Sequence, residues 1–203
     1  MRVALIGATG NAGSRVLAEL LRRGHSVTAI VRHPEKVPAH ERVSAVATDG
    51  SEASLAAAVE GHDAVVSSVR FVDLAPETLV PAIRKSGVKR YVVVGGAGSL
   101  LHPDGVQEAM RPEFPEPFRP NSLRGGDLLD LLRATDDLDW TFISPPRVFK
   151  AGERTGTFRT GKDHMLVDAA GTPTSISFED FALALVDELE TPKHVRERFT
   201  IGY

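Results

Sequence analysis

The sequence predicts a doubly wound α/β fold with a parallel sheet in the order 3-2-1-4-5-6. Three observations lead there. Short apolar runs alternate with helical repeats from Val3 to Ser144, a rhythm that lays successive strands parallel with helices between them. The first run, Val3 to Ile6, passes straight into Gly7-Ala8-Thr9-Gly10-Asn11-Ala12-Gly13, a G-x-x-G-x-x-G turn. Behind that turn Val16, Leu17, Leu20 and Leu21 recur at helical spacing, so the glycines stand where a strand becomes a helix.

The remaining elements follow in order. Gly24 is placed to end the first helix, and Ser26 to Val31 reads as the second strand. Val43 to Ala47 is the third strand, Ser51 to Glu60 an alanine-rich helix closed by Gly61, and Ala64 to Val69 the fourth strand. Pro76 to Ser86 reads as a helix with Pro76 in its first turn; Pro81 is expected to kink it or mark a later start. Arg90 to Val94 is the fifth strand, Leu123 to Ala134 an amphipathic helix, and Leu138 to Ser144 the sixth strand. Between them, Ala97 to Arg119 has little periodicity and four prolines, which suits either a substrate lid or a stiffened cover over the sheet edge. Gly152 to Thr174 alternates and suggests small hairpins. Ser177 with Asp180 forms a capping-box variant before a helix from Phe178 to Glu190, and Arg198 to Tyr203 is a last short strand.

Bulk properties narrow the function. The chain has 203 residues, 42% hydrophobic and 25% charged, and is expected to form one domain over residues 1–203. A net charge of -3 offers no basic field for nucleic acid. No apolar run has the length of a membrane span and no leader pattern is present. The absence of cysteine excludes disulfides and thiolate chemistry and fits a cytoplasmic location. Seven scattered histidines show no metal-ligand spacing, so no metal is expected; His102 and His164 read as surface loop residues.

The glycine turn points to a dinucleotide. Gly7 can make the tight turn, Gly10 can let backbone approach a pyrophosphate, and Gly13 can let the helix pack close to the strand. Thr9, Asn11 and Ala12 complete the loop, and the helix start offers free N–H groups to phosphate. NAD-preferring folds place an acidic residue near the end of the second strand to hold the ribose 2′-OH. Here that place holds Arg32, 19 residues after Gly13, whose fork of donors suits a 2′-phosphate, so NADP is expected in preference to NAD. Asp49 reads either as an adenine neighbour or as a turn residue. Ser67 ends the fourth strand, and Gly95, Gly96 and Ala97 follow the fifth, where the topology gathers ligands. Ser99 is the one hydroxyl of that stretch: it lines the nicotinamide pocket or simply turns the chain. Pro145, after the sixth strand, joins the same crevice.

The chain also resembles a family. Gly7 to Ser14, Gly95 to Leu100 and Leu138 to Pro146 are similar to motifs of the atypical short-chain dehydrogenase/reductases, in the branch called NADH-flavin reductases. That branch is related to biliverdin reductase B and the NmrA-like redox sensors. Gly152 to Gly156, Ile176 to Phe181, Asp187 to Glu190 and Arg198 to Thr200 extend the likeness over essentially the whole chain. The resemblance implies reduction of a flavin, FMN or FAD bound as substrate and not as a prosthetic group, by a reduced nicotinamide.

One departure matters. Other members of the superfamily use a Tyr-x-x-x-Lys pair as acid, but this chain has only Tyr91 and Tyr203, and Asn121 to Leu132 holds neither Tyr nor Lys. An NAD(P)H-dependent reductase of a flavin, quinone or similar planar acceptor needs no such acid, because reduced flavin can take its proton from water. Ser99 is then the one candidate catalytic side chain. The rival expectation is a non-catalytic NADP(H)-binding sensor with a protein partner. An epimerase or dehydratase is disfavoured by the missing acid. The protein is expected to act as a monomer or homodimer on a small molecule, away from membranes and nucleic acid.

Overall fold

The structure, a computed structural model, describes residues 1–203. Its strands and helices alternate as β1 (Arg2–Ile6), α1 (Asn11–Arg22), β2 (Ser26–Val31), β3 (Val43–Ala47), α2 (Glu52–Val59), β4 (Ala64–Ser67), α3 (Pro76–Ser86) and β5 (Arg90–Val94). They continue as α4 (Arg119–Arg133), β6 (Asp139–Ser144), β7 (Val148–Lys150), β8 (Arg159–Gly161), β9 (Ser175–Ser177), α5 (Phe178–Glu190) and β10 (Glu197–Gly202). The main sheet runs β3-β2-β1-β4-β5-β6-β10-β8, parallel from β3 to β10 and closed by the antiparallel β8. This is the doubly wound order the sequence predicts, with two strands added beyond β6.

Period-two alternation splits the sheet between two cores. Val3, Leu5, Val92 and Val94 face α1 and α5, while Ala4, Ile6, Tyr91 and Val93 face α2, α3 and α4. Both faces are buried, which is why these strands read as continuous apolar runs.

Three expectations change. Helix α3 runs unbroken through Pro81; the donor Pro81 lacks would have met the carbonyl of Glu77, in the helix's first turn. Helix α4 starts at Arg119, four residues early, because Pro120 is tolerated in a first turn. Gly152 to Thr174 forms no run of hairpins: β7 pairs in parallel with β9, β8 joins β10, and only Val167 bridges Pro173 across a tight turn.

Buried charges hold the C-terminal third against the sheet. Asp180 is fully buried and accepts from Gly156 N at 2.8 Å, Thr155 Oγ1 at 2.6 Å and Tyr203 Oη at 2.8 Å. Its amide donates to Ser177 Oγ at 2.9 Å, so the cap forms, but the carboxylate serves the loop and the last residue and does not return to the cap. Glu19 on α1 is clamped by Arg22, Arg23 and, from the Gly152 to Gly156 segment, Arg154 at 3.1 Å. Burial pushes the Glu19 carboxyl up, but hydrogen bonds from Arg22, Arg154 and Arg23 outweigh it and hold it at about 2. A carboxyl held below its unfolded value stabilises the fold above that value and loses this contribution on acidification. Glu19→Gln should therefore lower the melting temperature at neutral pH and flatten the loss of stability between pH 4.5 and about 2 in acid-denaturation curves.

Candidate functional site

A cleft of about 400 Å³ opens at the carboxyl ends of β1, β2 and β4. Ile6, Ile30 and Val31 form its floor, Gly7, Thr9 and Gly10 one wall, Thr48, Asp49 and Gly50 another, and Ser68, Val69 and Arg70 a third.

The three glycines of the turn have separate jobs. Gly7 has φ +87°, and a Cβ there would overlap the Ser68 carbonyl. A Cβ on Gly13 would overlap the Gly7 carbonyl, so α1 meets the strand backbone to backbone. Gly10 is different: its φ of -74° suits any residue, and a Cβ would have ordinary contact at 3.5 Å. Nothing in the protein demands glycine at position 10, and it borders the cleft.

Helix α1 begins there without a side-chain cap. Gly10 N and Ser14 N are bonded, but the amides of Asn11, Ala12 and Gly13 find no acceptor in the protein. Three unpaired N–H groups at a helix start favour an anion.

Arg32, on the opposite lip, is exposed and forms no ion pair or hydrogen bond, and no carboxylate precedes it in β2. Asp49 turns the backbone, accepting from Ser51 N at 2.9 Å, and that hydrogen bond holds its carboxyl below the usual range; it also lines the cleft. The turn reading of Asp49 thus describes it. Arg70, which the sequence reading missed, faces the same cleft beside Asp73, their charged atoms 3.8 Å apart. Its signal was hidden by an overlong strand: β4 stops at Ser67, so Ser68 to Arg70 leave the sheet for the cleft.

Ser67 is a correction. Its hydroxyl points into the core and bonds Tyr91 Oη at 2.8 Å, because the alternation at the end of β4 puts Ser67 inside and Ser68 on the cleft. Burial pushes the Tyr91 hydroxyl up and keeps it protonated, and Tyr91 is fully enclosed in the core with its hydroxyl on Ser67, away from the cleft. Gly95 is another: a Cβ there would overlap the Phe142 ring, so packing against β6 requires this glycine. Gly96 has open space around it, Ala97 is half-buried and Pro145 is buried just beyond β6. Ser99 is buried and turned inward, 3.4 Å from the Arg198 guanidinium, which also reaches Ser144 and Asp163. Nothing in this sequence pattern marked Arg198 as its partner, because they lie 99 residues apart.

The segment from Ala97 to Arg119 is tied to itself by hydrogen bonds. Ala109 N donates to Gly98 O, Glu108 N to Leu100 O, and Arg119 donates to the carbonyls of Ala109, Arg111 and Phe114.

A phosphate-ready helix start facing an unpaired arginine across one cleft agrees with what the sequence is related to. The family described as NAD(P)H-binding matches residues 7–192. The chain belongs to this NAD(P)H-binding family, among the atypical short-chain dehydrogenase/reductases. It is 38% identical to the uncharacterized protein YwnB of Bacillus subtilis over 99% of this chain and 98% of that one. Among solved structures, one from Bacteroides thetaiotaomicron, provisionally named an epimerase, shares 42% identity with a TM-score of 0.93, covering 100% of this chain and 96% of the other. One from Streptococcus pneumoniae, provisionally named an NADH-flavin reductase, shares 33% with a TM-score of 0.84, covering 100% and 99%. No helix is long and apolar enough to cross a membrane.

Because the protein leaves room at Gly10, Gly10→Val should fold with a melting temperature close to that of the parent and lose NADP(H) binding by calorimetry. Retained affinity would show that the glycine turn does not hold the cofactor.

Proposed function

We propose that the protein is an NADPH-dependent reductase of a flat redox acceptor, a flavin or a quinone. The reading is carried by Arg32, a guanidinium left without a partner on the lip of the cleft where an NAD-preferring site would hold a carboxylate. The donor set fits the dinucleotide. The Asn11, Ala12 and Gly13 amides would take the pyrophosphate, Arg32 the 2′-phosphate, and Asp49 and Arg70 would border the adenine end. When bound, the reduced nicotinamide supplies hydride. The chain's part is then to orient the two rings and exclude water, which is the work positioning does best.

Ser99 is not asked for a proton in this reading, since its hydroxyl is buried and turned inward, its oxygen accepting from Arg198. Losing a general acid costs a factor of about 10²–10⁴. Ser99→Ala should slow NADPH oxidation by no more than about tenfold, well short of that range. A dead Ser99→Ala enzyme that still binds both ligands would restore Ser99 as the acid.

A charge-assisted hydrogen bond contributes about 1.5–3 kcal/mol, on the order of tenfold to a hundredfold in affinity. Arg32→Ala should weaken NADPH by that much and NADH far less, as read by fluorescence titration. Equal losses would remove the 2′-phosphate assignment. Steady-state oxidation of NADPH with FMN or menadione tests the activity itself; tight NADPH binding with no oxidation by either would favour the redox-sensor alternative.

A further inference from the structure

The segment from Ala97 to Arg119 carries one charge that its packing does not explain. Glu108 is 2% exposed and is the only buried charged residue between Ala97 and Phe118. Its Oε2 lies 2.6 Å from His102 Nε2. Its Oε1 is buried without a hydrogen bond; Arg147 Nε stands 3.1 Å away but out of line for one. Burying a carboxylate is costly unless it is paired, and a neutral side chain could fill the same space. His102 is 21% exposed at its side chain, so the ring reaches solvent while one nitrogen is held. The other charged groups about it are Asp104, which pairs with Arg111, and Arg147; His164 is set beside Leu101 by a backbone bridge.

The location gives this pair a use. His102 and Glu108 follow β5, and Arg147 follows β6 by three residues. In chain order these positions come after the two strands next along the sheet from the cleft wall at Ser68 to Arg70, and the Arg147–Glu108 ion pair with the Glu108–His102 contact ties the two exits together. Ligands of a doubly wound sheet lie along its carboxyl edge. With the dinucleotide in the cleft at β1, β2 and β4, the acceptor side falls at β5 and β6.

We propose that His102, oriented by Glu108, is the proton donor to the acceptor, and that the acceptor is a quinone. This rests on the reductase reading above. A carboxylate that fixes one imidazole nitrogen turns the other outward as a proton donor or acceptor, the arrangement that serves general acid–base catalysis. The choice of acceptor follows from the second proton. A reduced flavin is stable as its anion near neutral pH and needs none from the protein. A quinol keeps both protons, so negative charge builds on a carbonyl oxygen as hydride arrives. His102 gives a proton to that oxygen and regains one from water. The balance is one quinone, one NADPH and one proton in, and one quinol and one NADP⁺ out. His102 thereby stands in for the absent Tyr-x-x-x-Lys acid. Glu108 is a positioning residue, since it touches the imidazole and not the acceptor.

The test compares two acceptors in one protein and adds a readout free of turnover. His102→Gln should lower kcat with menadione by on the order of a hundredfold, and lower it with FMN far less, so that the ratio of the two rates falls. Glu108→Gln should reduce the same ratio while leaving KM for NADPH in place. Equal losses on both acceptors, or no loss on menadione, would overturn the proposal. Separately, the His102 imidazole resonances, assigned by their disappearance in His102→Gln, should shift when menadione is added to the unmodified protein saturated with NADP⁺. An imidazole that does not respond to menadione would also overturn it. If the unmodified protein binds NADPH and oxidises it with neither acceptor, the reductase reading fails by itself; a responding imidazole would then still place His102 at the acceptor site.

Discussion

Three stretches of backbone meet at one point, and the fold depends on their meeting without side chains. The Ser68 carbonyl, at the end of β4, occupies the space a Cβ of Gly7 would take. The Gly7 carbonyl in turn occupies the space a Cβ of Gly13 would take. β1, α1 and the exit of β4 are therefore locked at van der Waals distance. Adding one methyl group to such a contact costs about 1–3 kcal/mol of overpacking. The same lock aims the unpaired amides of α1 across the mouth of the cleft. Gly10, between the two locked glycines, donates its amide to Gly7 O but keeps room for a Cβ, so it borders the cleft as bare backbone.

A second set of constraints is electrostatic, and it acts at the other end of the chain. Asp180, Glu19 and Glu188 are buried carboxylates, each satisfied by groups from distant segments. Glu188 takes His194 Nδ1 at 2.8 Å, the amides of Lys193 and His194, and Arg90 at 3.3 Å. Arg198, with a side chain 2% exposed, joins Asp163 to Ser99 and Ser144. Such pairs add little net stability over an apolar replacement, yet leaving one partner alone costs about 3–5 kcal/mol. Their effect is to fix which segment lies on which, and so to hold β10 between β6 and β8, where the apolar pattern alone does not choose.

The legible part of this protein is the part encoded locally. Helical and strand periods, the glycine turn, the cap at Ser177 and the arginine after β2 are all read within a few residues, and each is where the sequence puts it. What escaped is relational. Ser67 and Ser68 differ by one position, and one position in a strand exchanges the two sides of the sheet, so Ser67 enters the core and Ser68 the cleft. Gly95 looked like ligand space and is a berth for the Phe142 ring, a residue 47 positions later in the chain. The Ala97 to Arg119 segment has no period because its order comes from single hydrogen bonds within itself and to Asp163 and Met165, and from one arginine, Arg119, gathering three carbonyls. His102 was read as a surface histidine because Glu108, six residues away across a turn, has no helical or strand phase to it.

The two halves of the carboxyl edge are thus built on different principles. At β1, β2 and β4 the cleft offers unpaired backbone amides and one free arginine, set by close packing of the sheet with α1. A side chain at Gly7 or Gly13 would disturb the fold as well as the cleft, whereas Gly10 and the exposed Arg32 can be changed without it. At β5 and β6 the elements are side chains on the segments that follow: His102, Glu108 and Arg147. These can be exchanged without disturbing the lock at Gly7 and Gly13. A fold arranged in this way keeps its dinucleotide site and is free to vary its acceptor, because function resides in the site and not in the sheet that carries it. The acceptor chemistry of this chain is therefore to be sought in the residues after β5 and β6, where the one buried charge between Ala97 and Phe118 is already held against an imidazole.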